Sequence, residues 1–305
     1  MTAFEPLRGV IAPNLTPFND DLSVAMDLYV AHGKALLDGP CVALAPFGTT
    51  GEALSVASDE RIAVIESLID AGADPKRLVP GTGLTNLPET VRLSQACLDM
   101  GCAAVMTLPP FYFKGVSDNG LYTYFAELIA RIDRASCRIF LYHIPQVAGV
   151  GIPPAVAARL RRDFPNEIVG IKDSSGDWEN TKALLDIDGL IVYPGSELPL
   201  FEAMARGAPG CISATANLNG AAIAEVISLI AHGEMETAKA PFEQVRNVRM
   251  TFQHYAPIPA QKRLLAVATG DRRWANVRPP LEAMDEAAGR SLAHDLGPAF
   301  VDQIA

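Results

Sequence analysis

Lys172 stands at the end of an apolar run, Ile168-Val169-Gly170-Ile171, and a lysine in that setting has one distinctive use. Carried by a strand into a buried space, it loses hydration, which favours the neutral amine over the ammonium. A neutral amine attacks a ketone, and the resulting iminium withdraws electrons so that an adjacent C–C or C–H bond can break. The bland alternative is a lysine paired with Asp173 to hold loops together; the strand position alone favours neither. Tyr142 ends another run, in Leu141-Tyr142-His143-Ile144-Pro145, where its phenol would carry protons beside such an amine. A core tyrosine with a satisfied hydroxyl is the commoner fate. Gly48-Thr49-Thr50-Gly51-Glu52 sets two hydroxyls between flexible positions, a turn able to offer O–H and backbone N–H donors to a carboxylate. It lacks the lysine and spacing of a phosphate-binding loop, and an ordinary strand-to-helix turn stays open as its reading. Tyr112, Ser196, Glu197 and Ser213 complete the reactive side chains that follow apolar runs. None of His32, His143, His232, His254 and His294 has a second His or a Cys at ligand spacing, so no metal is expected. His143 alone falls on a loop near the amine, as a substrate contact or a plain hydrogen-bonder.

These residues need elements that bring them to one place. Eight short apolar runs recur along the chain, at 9–12, 41–46, 78–81, 103–108, 138–142, 167–172, 190–193 and 210–213. Apolarity without alternation marks a parallel strand covered on both faces. Between the runs lie helical patterns with recognisable ends. Ser58 reads as an N-cap, with Ile62, Ile65 and Ile69 on one face and Gly72 at the end. Pro88 suits a first turn and Gly101 a terminus, while Ile152-Pro153-Pro154 opens another helix. Eight strands alternating with helices predict an α/β fold that closes as a (β/α)₈ TIM barrel, whose reactive groups lie at the C-terminal strand ends. A doubly wound open sheet competes, but no G-x-G-x-x-G follows the first run. Beyond Asn217 the strand signal disappears, and 221–231, 234–250, 261–268 and a stretch after Pro280 read as helix. The expected organisation is a catalytic barrel over 1–232 and a C-terminal helical extension over 233–305.

The chain has 305 residues, 49% hydrophobic and 20% charged, enough to bury a core without disulfide or metal support. Its 35 acidic against 25 basic residues give a net charge of −10, which disfavours nucleic acid or an anionic membrane as partner. Cys41, Cys97, Cys102, Cys137 and Cys211 all sit in apolar stretches and read as small buried hydrophobes in a reducing compartment. With neither a signal-peptide pattern nor a membrane-length apolar run, the expected location is the cytoplasm.

Taken in order, several segments resemble the dihydrodipicolinate synthase / N-acetylneuraminate lyase family of class I aldolases. They are Leu15-Thr16-Pro17-Phe18, Gly48-Thr49-Thr50-Gly51-Glu52, Pro110-Phe111-Tyr112, Leu141-Tyr142-His143-Ile144-Pro145, Gly170-Ile171-Lys172-Asp173-Ser174, and Gly210-Cys211-Ile212-Ser213 followed by Ala216-Asn217. The resemblance implies that Lys172 is the Schiff-base lysine and Tyr142 the proton relay, with Thr49 and Thr50 relaying protons and holding the pyruvate carboxylate. It implies that Ile212 and Gly195 line the pyruvate end and that Tyr112 enters a neighbouring subunit's site, in a dimer or tetramer. No cofactor is implied.

The departures are informative. Dihydrodipicolinate synthases carry an arginine shortly after the proline that follows the relay tyrosine, and it binds the aldehyde partner's carboxylate. Here the segment reads Pro145-Gln146-Val147-Ala148-Gly149, with no basic residue. Losing such a charge-assisted contact removes on the order of 2–5 kcal/mol of recognition. His143 replaces the Asn more usual after the tyrosine, Phe111 replaces a second Tyr, and Thr49-Thr50 stands where N-acetylneuraminate lyases usually show Ser-Thr. The sequence therefore points to a lyase of 2-oxo acids, working by aldol cleavage of a 2-keto-3-deoxy sugar acid to pyruvate and an aldehyde, or by dehydration of such an acid. The rivals are 4-hydroxy-tetrahydrodipicolinate synthase and a barrel that binds a 2-oxo acid without turning it over.

Overall fold

The computed structural model describes residues 4–304. Seven strands run parallel: β1 (Gly9–Ala12), β2 (Cys41–Leu44), β3 (Val105–Thr107), β4 (Ile139–His143), β5 (Ile168–Asp173), β6 (Ile191–Pro194) and β7 (Gly210–Ile212). Ladders join them in two groups, β2-β1-β7 and β3-β4-β5-β6. The 78–81 run joins the groups as the eighth stave. Val79 N–H donates to Leu44 O and Gly81 N–H to Pro46 O, while Met106 N–H donates to Pro80 O. Pro80 lacks an N–H, so the run makes single bridges rather than a continuous ladder. A helix follows each of the eight staves, from Met26–Asp38 to Ala216–Ala231, with a further short helix, Pro145–Ala148, after β4, and the fold is a TIM barrel.

Two apolar layers explain why the runs show no alternation. Ile11, Ala43, Val79, Met106, Phe140, Tyr142, Tyr193 and Ile212 touch one another and fill the interior. Val10, Leu44, Val105, Ile139, Leu141, Val192 and Cys211 face outward and pack under the helices. β5 breaks strict alternation: Ile168 and Ile171 both face out, and the register with β4 shifts between Ile139 and Phe140. A bulge of this kind re-aims the residues beyond it. It turns Lys172 inward beside Tyr142, its partner in the β4 ladder. Gly170 is the position that allows the fit, since a Cβ there would lie 2.4 Å from both Ile191 O and the Phe140 ring. The N-terminal segment closes the opposite end, where Phe4 meets Phe140 edge-on and Leu7 O accepts from the Tyr193 hydroxyl.

Most helix ends lie where the sequence places them. Gly72 and Gly101 take φ of +95° and +89° just past their helices. Ser58 departs from its expected role. Ala57 occupies the N-cap position, Ser58 is already helical, and Glu60 supplies the capping bond by accepting from Ala57 N–H at 2.9 Å. After Ala216–Ala231 come Met235–Phe252, Pro257–Thr269, Glu286–Leu296 and Pro298–Ile304. Pro257–Thr269 begins four residues before its expected start, because Pro257 and Pro259 sit in a first turn, where the N–H they lack would have no intrahelical partner. These helices share a core of Phe252, Leu264, Leu265, Trp274 and Leu292 that includes Leu15 and Leu218 of the barrel. All five cysteines are buried and unpaired. Among the described residues no helix is long and apolar enough to cross a membrane.

Candidate active site

Lys172 is buried, 4% exposed, at the C-terminal end of β5. Its Nζ donates to the Tyr142 hydroxyl at 3.4 Å and lies 4.5 Å from the centre of that ring. The Tyr142 oxygen in turn lies 3.1 Å from Thr49 Oγ1. Three side chains from β4, β5 and the turn after β2 thus form one chain of polar atoms.

The alternative pairing of Lys172 with Asp173 does not occur. Neighbouring strand residues point to opposite faces, and the Asp173 carboxylate accepts from Thr181 Oγ1 at 2.7 Å, Asn180 Nδ2 at 3.0 Å and Ser175 N–H at 2.9 Å. A second buried lysine shows the contrast. Lys262 is 0% exposed and pairs with Glu52 at 2.5 Å, with Thr16 O as a further acceptor at 2.8 Å. Burial pushes the Lys262 amine down to about 8, against the opposing pull of Glu52. Lys262 is a strut; Lys172 faces a cavity.

That cavity holds about 870 Å³, ample for a substrate much longer than three carbons. Thr49, Thr50, Tyr142, Lys172 and Gly195 line it together. The turn carrying the threonines is held rigidly. Phe47 and Glu52 take positive φ at its two ends, Thr16 Oγ1 donates to Gly51 O, and buried Arg61 donates to the Ala53, Val56 and Gly81 carbonyls. The backbone N–H groups of Thr49 and Thr50 donate to no acceptor among the described residues. A smaller cavity of about 240 Å³ shares Thr49, Tyr142, Ile144 and Val147 with the first and is walled by Phe47, Met106, Leu108 and Phe111.

Other expected residues stand apart. His143 is the last residue of β4 rather than part of a loop, and it does not line the cavity. It points away because Tyr142 points in, and its Nδ1 accepts from Ile152 N–H at 2.8 Å. Burial moves its protonation below the usual imidazole range. Ile212 lies one layer down, in the packed interior. Tyr112 is 75% exposed, stacked edge-on against Phe113 and away from both cavities. Ser196 lines the cavity, whereas Glu197 is buried behind it, accepting from Ser213 Oγ and, at 2.6 Å, from Thr215 Oγ1.

One wall was not foreseen. Arg249, Gln253, Tyr255, Ile258 and Gln261, from two helices after the barrel and the turn that joins them, line the same cavity. A signal for Arg249 exists in the sequence. It falls four residues after Val245 and three before Phe252, on the face those residues bury. Among the described residues no three His, Cys, Asp or Glu side chains come close enough to hold a metal ion.

Residues 6–298 match the model of the Dihydrodipicolinate synthetase family. A 4-hydroxy-tetrahydrodipicolinate synthase of Thermus thermophilus is 33% identical over 277 residues, 90% of each chain. An uncharacterised DapA-like lyase of Chloroflexus aurantiacus is 38% identical over 209 residues, 68% of this chain and 69% of the relative. The crystal structure of dihydrodipicolinate synthase from Agrobacterium tumefaciens superposes with a TM-score of 0.85 at 32% identity, covering 94% of this chain and 97% of that one. The chain belongs to the dihydrodipicolinate synthetase family and is, like its members, a class I lyase.

Proposed function

We propose that Lys172 condenses with the ketone of a 2-oxo acid and that the chain cleaves a 2-keto-3-deoxy sugar acid to pyruvate and an aldehyde, or dehydrates such an acid. The observation that carries this reading is the chain of atoms from Lys172 Nζ through the Tyr142 oxygen to Thr49 Oγ1, with no carboxylate against the amine. The amine adds to the ketone carbon and water leaves, forming an iminium. Tyr142, with Thr49 as relay, gives the proton with which that water leaves; its oxygen, now a phenolate, takes the C4 hydroxyl proton as the bond from C3 to C4 breaks toward the iminium nitrogen, and Tyr142 is neutral again. The enamine left behind takes a proton, and water returns the amine and releases pyruvate. The free N–H groups of Thr49 and Thr50, with the Thr50 hydroxyl, hold the substrate carboxylate, and Gly195 leaves room beside it.

The barrel over 1–232 supplies the reacting groups in this reading, and the helices of 233–305 supply the far wall. The exposed Tyr112 and Phe113 suit an interface with a second copy, in which Tyr112 would reach that copy's site. A second reading, 4-hydroxy-tetrahydrodipicolinate synthase, draws support from the relative of that name. Against it, Gln146 and Val147 occupy the cavity wall where an arginine would be needed. Turnover with pyruvate and aspartate semialdehyde, measured beside a panel of 2-keto-3-deoxy acids, separates the two. For the shared chemistry, borohydride added with pyruvate should raise the intact mass by one reduced adduct, and peptide mapping should place it on Lys172. An adduct on any other lysine, or none, would remove the proposal.

A further inference from the structure

Arg249 reaches the cavity from Met235–Phe252, a helix that contributes no other charged residue to its lining. Its side chain is 23% exposed, and its Nε is buried without a hydrogen-bond partner. The nearest carboxylate is Glu197, whose Oε2 lies 4.0 Å from Arg249 Nη1, beyond hydrogen-bond reach. Both Glu197 oxygens are already engaged by the hydroxyls of Ser213 and Thr215. Arg249 therefore has a counter-charge nearby, which makes it tolerable in a partly buried wall, yet its fork of donors is not consumed by it. The other acids of the lining do not engage it: Asp173 is saturated by Asn180, Thr181 and Ser175, and Glu202 is exposed and forms no ion pair among the described residues, the one carboxylate near Arg249 being Glu197.

A second unfinished group lies in the same wall. Gln261 is 1% exposed and its Nε2 donates to Pro257 O at 3.2 Å, but its Oε1 has no partner. A buried amide oxygen without a donor is costly unless something that visits the cavity supplies one. The wall thus presents a cation and a bare acceptor to the same cavity that the amine and the threonine turn line. A 2-oxo acid held by its own carboxylate at Thr49 and Thr50 would extend toward this wall.

We infer that Arg249 is a specificity residue that receives an anionic group at the end of the substrate remote from the ketone, with Gln261 Oε1 accepting from a hydroxyl along the chain. This rests on the Schiff-base reading above and names its substrate class: a hydroxylated 2-oxo acid that carries a second negative charge. A carboxylate and a phosphate ester both meet that description.

The test compares six-carbon 2-keto-3-deoxy acids that differ only at C6: carboxylate, phosphate ester or neutral CH₂OH. The wild-type protein should show a higher kcat/KM for one charged form than for the neutral one, and the better of the two names the group. In Arg249→Met that charged-over-neutral ratio should collapse by on the order of a hundredfold, mostly through KM. Arg249→Lys, which keeps the charge but not the fork, should retain part of it. A wild-type preference for the neutral terminus overturns the inference without any variant. So does an Arg249→Met protein that loses the same factor on all three substrates, which is what a merely structural arginine would give. Borohydride trapping of the wild type with pyruvate is run alongside: its failure sinks the Schiff-base reading, whereas success with an unchanged ratio sinks only the role of Arg249.

Discussion

At the scale of single residues, two buried lysines have opposite surroundings. Lys262 is met by a carboxylate and a carbonyl; Lys172 is met by a phenol and an open cavity. Removing the two should therefore have different consequences. Lys172→Ala should abolish turnover while leaving the melting temperature unchanged or higher, because no carboxylate loses its partner and the space vacated opens into an existing cavity. Retained wild-type turnover in that variant would end the mechanism. Tyr142→Phe keeps the ring beside the amine and removes only the oxygen that links it to Thr49. It should lower kcat by about 10²–10⁴ with a smaller change in KM, the size of a lost proton relay; steady-state rates across a substrate series check this.

Among the elements, the turn after β2 shows how the helices beyond the barrel are built into the site. Glu52 closes that turn, and its carboxylate takes Lys262 from Pro257–Thr269 and, at 3.3 Å, the backbone N–H of Arg278. Arg278 also pairs with Glu60 at 2.6 Å on the next helix, and both it and Lys262 lie over the Phe18 ring. The turn cannot move without disturbing this packing. Lys262→Met should destabilise the chain by about 3–5 kcal/mol, since it strands a buried carboxylate. Lys262→Met combined with Glu52→Gln should recover much of that loss. Chemical denaturation of the three proteins measures it, and an unchanged midpoint in the single variant would show that the pair bears no strain.

For the whole molecule, a half-buried and a buried histidine couple stability to pH. His32 joins Asn217 at 2.9 Å and packs edge-on against Trp274, while His143 accepts from Ile152 N–H. Burial lowers the protonation of both below the ordinary value of 6.5, with Asn217 opposing it at His32 and Asp173 at His143. The sign follows from proton counting. Just below pH 6.5 the unfolded chain binds protons that the folded chain refuses, so stability falls as pH drops through that value and on toward the folded ones. Above it both states are neutral at these positions and the histidines add no slope. Melting temperatures between pH 8 and pH 5 should decline below about 6.5. In His32→Gln the decline should be shallower; an identical slope would assign it to other groups.

The order of elements and the grouping of Lys172, Tyr142 and Thr49 were legible in the residues themselves, because both depend on local pattern. Short runs with no polar face demand cover on two sides, and reactive residues at the ends of successive runs must converge once parallel strands close. The bulge that turns Lys172 inward was not legible, since it depends on how Phe140 packs over Gly170 across the β4–β5 register. Nor was the division of labour between Lys172 and Lys262, which lie 90 residues apart in sequence and are told apart by Glu52 and Thr16 O beside one and Tyr142 and a cavity beside the other. The wall of Arg249, Gln253 and Gln261 belongs to the same class. Helical periodicity tells which face of a helix is buried, but which cavity that face meets is decided by long-range packing of the last helices against the barrel mouth.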